Sequence, residues 1–274
     1  MPFLNVRISH LRTLVLTLAL AFPSATAATA QEQETEALAK AAQNPVADLI
    51  SLPIQNNTSF GLGPNDRTQN VTNIQPVVPF GISDRWTLIT RTIVPIISQP
   101  DLSAESGSTF GLGDINASLF LSPANAGGLI WGIGPIISLP TATDAALGSD
   151  KWGIGPSLIL LTMPGHWVVG VLVNNIWSVA GNDDRADVNQ LLVQYFVNYN
   201  LANGWYLTSA PINTVNWELD EDKATIPLGG GVGRVFRLGR QPVNAQVQAF
   251  YLAAKPANGP DWSLRLQFQM LFPK

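Results

Sequence analysis

The chain has 274 residues, a formal net charge of −4, no cysteine and 12% charged residues, about half the share typical of globular proteins. The negative balance argues against nucleic acid as a partner, because such binding depends on Lys and Arg contacts to phosphates. The absence of cysteine excludes disulfides and thiolate metal sites.

Residues 1–30 have the features of an export signal. Arg7 and Arg12 precede an apolar run at 14–22 (LVLTLALAF), and the sequence ATA at 28–30 offers a cleavage site. A transmembrane anchor is the alternative, but a membrane-spanning helix needs roughly 20 apolar residues, and this run is far shorter. We therefore predict a cleaved signal peptide at residues 1–30, whose removal changes the net charge from −4 to −6.

The mature chain begins with its one helix-like stretch, residues 31–43 (QEQETEALAKAAQ), which is rich in Glu, Ala and Gln. Asn44-Pro45 ends the pattern, because the residue before a proline avoids the helical conformation. Residues 31–45 are therefore predicted to form a periplasmic leader or short helix. A plug or a partner-docking segment is the alternative interpretation.

From residue 46 onward the chain consists of apolar runs separated by turn residues. No stretch after the signal reaches the roughly 18 uncharged apolar residues of a membrane helix. The runs are about 9 to 13 residues long, which is typical of transmembrane strands, since soluble strands usually have about 5 or 6. They lie at 47–55, 70–80, 86–97, 112–121, 129–139, 151–162, 167–178, 188–199, 205–217, 224–236, 242–254 and 261–272.

These runs predict an all-β fold for residues 46–274, an antiparallel transmembrane β-barrel of 12 strands preceded by a short helix. A closed barrel is the one spanning structure, besides a helix, that satisfies every backbone polar group in lipid. An even strand number places both ends of the barrel domain on one side of the membrane, which we take to be the periplasm.

The connections between the runs alternate in length. Long connections are predicted at 56–69, 98–111 and 140–150, and tight ones at 81–85, 163–166, 200–204 and 237–241. Outer-membrane barrels have long extracellular loops and short periplasmic turns, so this alternation favours such a barrel over a β-sandwich. The alternation weakens after the ninth run, where 218–223 and 255–260 are of moderate length.

All eight tryptophans fall near the ends of the predicted strands. Trp167 and Trp177 share a face, and ten residues of tilted strand rise roughly 25 Å, the height of the apolar band. Indole rings favour the lipid–water interface, so the pattern predicts two aromatic girdles. The periplasmic girdle would hold Trp86, Trp131, Trp167 and Trp205, and the outer girdle Trp152, Trp177, Trp217 and Trp262.

Apolar and polar residues alternate clearly in the last two runs, which predicts apolar side chains outside and polar side chains inside. A lipid-facing arginine at mid-depth costs about 2–4 kcal/mol. We therefore expect the charged strand residues to face the lumen, as structural salt bridges or as a constriction that selects solutes by charge. The candidates are Arg91, Arg234 and Arg265, with Asp114 and Glu218 as ion-pair partners and Gln75, Asn174 and Gln194 as neutral lining.

Two sequence features need a local explanation. Four prolines lie within predicted strands, at 76, 135, 156 and 211, where the missing N–H breaks the ladder, and we interpret them as bulges. Gly229–Gly233 loosely resembles a dinucleotide loop but has no following helix, so we interpret its glycines as strand bends or close contacts with lumen side chains.

Enzyme motifs are nearly absent. His166 is the one histidine after residue 30, and it lies in a tight turn without a metal-binding neighbour at a suitable spacing. A turn histidine is also a poor general base for a serine nucleophile. We therefore expect no catalytic residue, no metal site and no cofactor.

Several stretches of the chain resemble a known group of bacterial proteins. They are 70–80 (NVTNIQPVVPF), 86–95 (WTLITRTIVP), 110–120 (FGLGDINASLF), 131–143 (WGIGPIISLPTAT), 204–217 (GWYLTSAPINTVNW), 226–233 (IPLGGGVG) and 271–274 (LFPK). The sequence is similar to outer-membrane transporters related to the meta-pathway phenol-degradation proteins, often labelled neuromedin-U-like. The resemblance covers nearly the whole mature chain and implies an outer-membrane barrel that takes up small solutes, aromatic ones among them. It supplies no catalytic residues, and Pro273-Lys274 departs from the aromatic ending of many barrels.

We therefore expect a passive channel or transporter for small solutes, aromatic or apolar ones included, in the outer membrane of a Gram-negative bacterium. Its surroundings would be outer-membrane lipid, and its solute and oligomeric state stay open. The alternatives are a structural or adhesion barrel without transport, and a soluble periplasmic β-protein that binds apolar ligands.

Overall fold

The computed structural model describes residues 25–273, with side chains from Gln33 onward, so the predicted signal peptide lies largely outside the described residues. Helix α1 spans Ala25–Gln43. The strands are β1 (Ile50–Leu62), β2 (Arg67–Ile74 and Val77–Ser83), β3 (Trp86–Pro100), β4 (Ser108–Leu112 and Ile115–Pro123), β5 (Leu129–Leu139), β6 (Lys151–Thr162), β7 (Trp167–Gly181), β8 (Asn189–Asn200), β9 (Trp205–Ser209 and Ile212–Asn216), β10 (Ala224–Leu238), β11 (Gln241–Ala254) and β12 (Trp262–Phe272).

The sheet closes on itself. Every strand pairs antiparallel with its neighbours in the chain, and β1 pairs with β12 from Ile50–Phe272 to Phe60–Trp262. The predicted antiparallel barrel of 12 strands is therefore confirmed, and each predicted run overlaps one strand. Within the described part of the chain, α1 is too short or too polar to be a membrane-spanning helix.

The connections separate the two ends of the barrel. At the end that carries α1, called the helix end, the turns are 84–85, 124–128, 163–166, 201–204 and 239–240. At the opposite end, called the loop end, the connections are 63–66, 101–107, 140–150, 182–188, 217–223 and 255–261. Apart from 63–66, the loop-end connections are the longer set, and this difference persists through the last strand.

The predicted loop at 56–69 is wrong, because strands β1 and β2 continue through most of it and leave only residues 63–66 as a turn. The polar residues of this stretch bond one another across the two strands. Asn56 and Asn70 exchange hydrogen bonds, and each also donates to a threonine, Thr72 and Thr58 respectively. We call these four residues the outer polar patch, because Asn56 lies beside the outward-facing Leu266 of β12.

The in-strand prolines interrupt the ladder in two ways. Pro76 and Pro211 stand at the breaks within β2 and β9. Pro135 and Pro156 face each other across β5 and β6, and the pairing of each strand with its other neighbour is interrupted at that level. A proline has no N–H to donate, so each strand ladder lacks the hydrogen bond that this N–H would have formed. A simple bulge is therefore not the common explanation.

The outward surface is apolar, with aromatic rings near both rims. Between the exposed Trp167 and Trp177 of β7, Leu172 and Asn174 point inward and are buried. Six tryptophans have 44–48% of their surface exposed, whereas Trp86 and Trp131 are half-buried and meet edge to face with ring centroids 5.8 Å apart.

Candidate functional site

The last turns of α1 fill the helix-end mouth of the barrel. Ala39, only 1% exposed, belongs to a buried apolar cluster that joins the helix to the inner wall. Its other members are Leu49, Tyr206, Val235 and Leu271. Burial of this apolar surface is the main force that holds a short helix in the mouth. The helix predicted at 31–45 therefore lies in the barrel as a plug.

Polar contacts tether the plug to the rim. Arg237 Nη2 at the end of β10 lies 2.5 Å from Glu34 Oε1, and His166 Nδ1 in the 163–166 turn lies 3.5 Å from Glu36 Oε1. At the end of β8, beside His166, Gln43 Nε2 donates to Asn200 Oδ1 at 2.9 Å. The helix is thus held by residues that are distant in sequence.

One wall of the lumen, from β2 to β8, is packed with apolar side chains. Ile89, Phe120, Ile159 and Val168 are completely buried there. The remaining members of the cluster are Val46, Val77, Leu161, Leu172 and Phe196. Because these side chains fill the space they face, the open part of the lumen lies against the opposite wall.

The opposite wall, formed by β1, β11 and β12, carries amides. Gln55, Asn244, Gln248 and Gln269 are all buried. Asn244 Nδ2 donates to Gln269 Oε1 at 3.0 Å, and the Tyr206 hydroxyl donates to Asn244 Oδ1 at 2.6 Å. This wall is therefore polar and uncharged except for one arginine.

Two arginines face the lumen without a carboxylate partner. Arg91 Nη2 donates to Gln75 Oε1 at 2.7 Å, and Arg265 Nε donates to Asn57 Oδ1 at 2.9 Å. The Arg265 guanidinium also lies over the Phe250 ring, 5.1 Å from its centroid. The ion pairs found among the described residues all involve other side chains.

Arg265 also supports a break in the barrel wall. At the interruption of β9 the backbone of Ala210 turns inward, where its carbonyl accepts from Arg265 Nη1 at 2.7 Å and its N–H donates to Gln248 Oε1 at 3.0 Å. Pro211 follows and has no N–H for the ladder. Lumen side chains therefore replace the missing strand partners.

A cavity of about 140 Å³ lies between the end of α1 and Arg91. Gln55, Gln75, Gln194 and Asn198 supply amides to its lining, and Arg91 is its one charged residue. Phe196 and Val77 add an apolar side. The cavity is thus a small chamber in which polar amides face apolar groups.

A loop narrows the opposite mouth. Leu147 of the 140–150 loop is buried, and a side chain at Gly111 of the barrel wall would collide with Thr143 of this loop. Arg185 Nη2 holds the loop by its carbonyls, donating to Ala145 O at 2.8 Å and Gly148 O at 2.6 Å. The loop is therefore folded inward and clamped.

Three predicted lumen charges lie elsewhere. Arg234 is exposed on the outward face of β10, where its guanidinium covers the Trp205 ring at 5.2 Å. It escapes the mid-depth cost because it lies at the helix-end rim, where a long basic side chain reaches water. Asp114 accepts hydrogen bonds from Ser149 and Ala142 of the 140–150 loop, and Glu218 is exposed in the 217–223 loop. The predicted pairing of these acids with the arginines is therefore wrong.

The neutral candidates Gln75, Asn174 and Gln194 point inward. Sequence reasoning missed Tyr206, whose ring fits inside the barrel because a Cβ at its cross-strand partner Gly233 would overlap it. Gly233, on the inward face of β10, is the sequence signal for this space.

Comparison with known proteins establishes the fold. The sequence matches no protein-family model and no curated protein. The structure is similar to an outer-membrane channel from Pseudomonas putida F1, with a TM-score of 0.62, 19% identity, and coverage of 82% of this chain and 94% of that one. It is also similar to the NanC porin, with a TM-score of 0.51, 11% identity, and coverage of 81% and 100%.

A weaker similarity links the chain to outer-membrane phospholipase A from Escherichia coli, with a TM-score of 0.44, 15% identity, and coverage of 86% and 98%. The two similarities with TM-scores above 0.5 show that the fold is that of an outer-membrane β-barrel.

Proposed function

We propose that the protein is a passive channel for small solutes, aromatic or apolar ones included, in the outer membrane of a Gram-negative bacterium. The observation that supports this proposal is the divided lumen. One wall is packed with apolar side chains, and the other presents amides around a cavity of about 140 Å³. A barrel that served only as a scaffold would gain stability by filling this space.

The proposal includes an orientation and a route of export. The helix end would face the periplasm and the loop end the outside, in keeping with short periplasmic turns and longer extracellular loops. Cleavage of a signal peptide at residues 1–30 would leave residues 31–43 of α1 as the start of the mature protein. The apolar outward surface argues against a soluble periplasmic protein, because it would be exposed to water.

Membership of the group related to phenol-degradation transporters is part of the proposal. The sequence resemblance supports it, as does the fold shared with a Pseudomonas putida F1 outer-membrane channel. The aromatic solute class rests on that resemblance.

An enzymatic role has less support. The His166 side chain contacts Glu36 and the Tyr199 ring, and it bonds no hydroxyl group among the described residues. We infer that His166 is a structural residue that holds the plug at the rim.

The plug favours one competing function, a structural barrel without transport. Purified folded protein in planar bilayers separates the two, since a channel shows stepwise conductance and a scaffold shows none above background. A solute-uptake defect in a deletion strain, restored by the wild-type gene, would support transport in the cell. Recovery of the protein in the soluble periplasmic fraction without detergent would contradict both.

A further inference from the structure

We propose that the lumen binds small monocarboxylates with a compact apolar body, such as a single aromatic ring, and that Arg91 receives the carboxylate. This deepens the proposed channel function and rests on it for the biological meaning of the site, although binding itself can be measured separately.

Arg91 and Arg265 carry positive charges that no acidic side chain of the described residues balances. Both guanidinium groups point into the lumen, where Arg91 is held by Gln75 and Arg265 by Asn57 and the Ala210 carbonyl. No carboxylate of the described residues pairs with either of them. A guanidinium held away from bulk water without an acidic partner is unfavourable unless an anion joins it.

Both guanidinium groups keep N–H donors that are not used in the structure. A guanidinium has five N–H donors in a planar fork that matches a carboxylate. Arg91 uses one nitrogen, for Gln75, and Arg265 uses Nε for Asn57 and Nη1 for Ala210. Donors therefore remain on both side chains, and the amides that hold them keep the forks in place.

No acidic side chain of the described residues lines the chamber, so none competes with a bound anion for Arg91. Arg91 is the one charged residue in the cavity lining, and the other polar groups there are amides and hydroxyls, including Gln194, Asn198 and Tyr206. Arg265 is not part of this lining; it donates to the carbonyl of Ala210, which is. An anion in this cavity meets the Arg91 charge directly and no negative charge.

The size of the cavity and its apolar side suit a single small ring. The cavity of about 140 Å³ is close to the engineered cavity of about 150 Å³ that binds benzene. Phe196 and Val77 supply an apolar side against which a ring packs. A benzoate-sized ligand therefore fits, with its ring against Phe196 and its carboxylate towards Arg91, whereas a long-chain acid does not.

The experiment measures equilibrium binding of benzoate to the folded protein in detergent by isothermal titration calorimetry. Benzyl alcohol and benzylammonium serve as neutral and cationic ligands of similar shape. We expect benzoate to bind more tightly than both. A charge-assisted hydrogen bond contributes enough that Arg91→Gln should weaken benzoate binding about tenfold, while Arg91→Lys should keep the preference for the anion with lower affinity.

Arg234→Gln is the matched control, because it removes an arginine from the outward face and should leave benzoate affinity unchanged. Equal affinity for the three ligands, or an unchanged affinity in Arg91→Gln, would overturn the carboxylate site.

Bilayer recordings on the same samples separate the two proposals. Conductance without benzoate binding would leave the channel standing and remove the binding site. Benzoate binding without conductance would keep the site and remove the channel.

Discussion

Asn56 and Asn70 exchange two hydrogen bonds on the outward face of the barrel, with Nδ2–Oδ1 distances of 2.8 and 3.1 Å. Each amide sends its remaining donor to a threonine hydroxyl, at 2.7 Å for Thr72 and 2.8 Å for Thr58. Since every amide donor finds an acceptor inside the group, the outer polar patch can face lipid without an unpaired N–H. Closure of the network is what makes four polar residues tolerable there.

Asn56→Leu is predicted to destabilise the barrel by about 1–3 kcal/mol, because it leaves the Asn70 amide unpaired against lipid. The double variant Asn56→Leu/Asn70→Leu should recover part of this loss, since it removes both amides. Chemical unfolding in detergent or lipid measures each free energy. Thr68→Leu is the control, an exposed strand residue without a side-chain hydrogen bond in the structure. Additive losses in the double variant would show that the patch is not a coupled network.

The same patch explains why residues 56–69 were predicted to be a loop. A polar stretch reads as a loop when its partners are unknown, and the bonds between Asn56 and Asn70 are visible only once β1 and β2 are paired. Strand count and barrel closure were predictable because they depend on run length and turn residues, which are local. The inward break at Ala210 was not, because its partners Gln248 and Arg265 lie 38 and 55 residues away.

The candidate site divides in the same way. The inward position of Arg265 was predictable because apolar and polar residues alternate along β12. That of Gln75 was predictable because it is a polar residue within an apolar run. Arg234, like Arg265, has apolar neighbours in the sequence. Only Gly233, which leaves room for the Tyr206 ring on the inward face of β10, indicated that Arg234 faces outward. The plug contacts of Glu34 and Gln43 join residues 203 and 157 positions apart, so periodicity carries no information about them.

Arg265→Met is predicted to destabilise the barrel more than Arg91→Met. The first change removes the charge-assisted hydrogen bond to the buried Ala210 carbonyl at the β9 break, which then keeps only the longer contact from Gln194 Nε2 at 3.4 Å, at a cost of about 1–3 kcal/mol. The second removes a contact to the Gln75 side chain only. Thermal unfolding followed by the gel-mobility shift between folded and unfolded barrel ranks the two. Equal stability of the variants would mean that Arg265 does not support the wall.

Charge reversal is predicted to loosen the plug. Glu34→Arg places two cations together at the Arg237 contact and should raise open-channel probability, whereas Glu34→Arg/Arg237→Glu should restore the wild-type value. The effect is modest, because exposed ion pairs contribute about 0–1 kcal/mol, and it should shrink in high salt. Single-channel recording measures it. Glu221→Arg, in the loop at the opposite mouth, controls for the added charge. Failure of the double variant to restore gating would contradict the tether.

Arg185→Ala is predicted to release the 140–150 loop from the loop-end mouth, because it removes the donor to Ala145 O and Gly148 O. Limited proteolysis should then cut within residues 140–150, and conductance should rise for larger solutes. Arg67→Ala is a matched control, since Arg67 clamps the 101–107 loop through Asp101 O, Ala104 O and Gly107 O. Protection of residues 140–150 in Arg185→Ala would show that the clamp is not needed.

Acid is predicted to release the 182–188 loop only at very low pH. Hydrogen bonds from Lys151 and Ser178, together with the Lys151 charge, lower the pKa of Asp187 below its ordinary value of 3.8. A carboxylate with a lowered pKa contributes its stabilisation above the ordinary pKa and loses it as the pH falls through the lowered one. A spin label at Asp183→Cys, in a chain that has no other cysteine, should therefore stay immobile down to about pH 4 and become mobile below it. Adding Asp187→Asn should make the label mobile at every pH, and release near pH 6 would contradict this account of the Lys151–Asp187 pair.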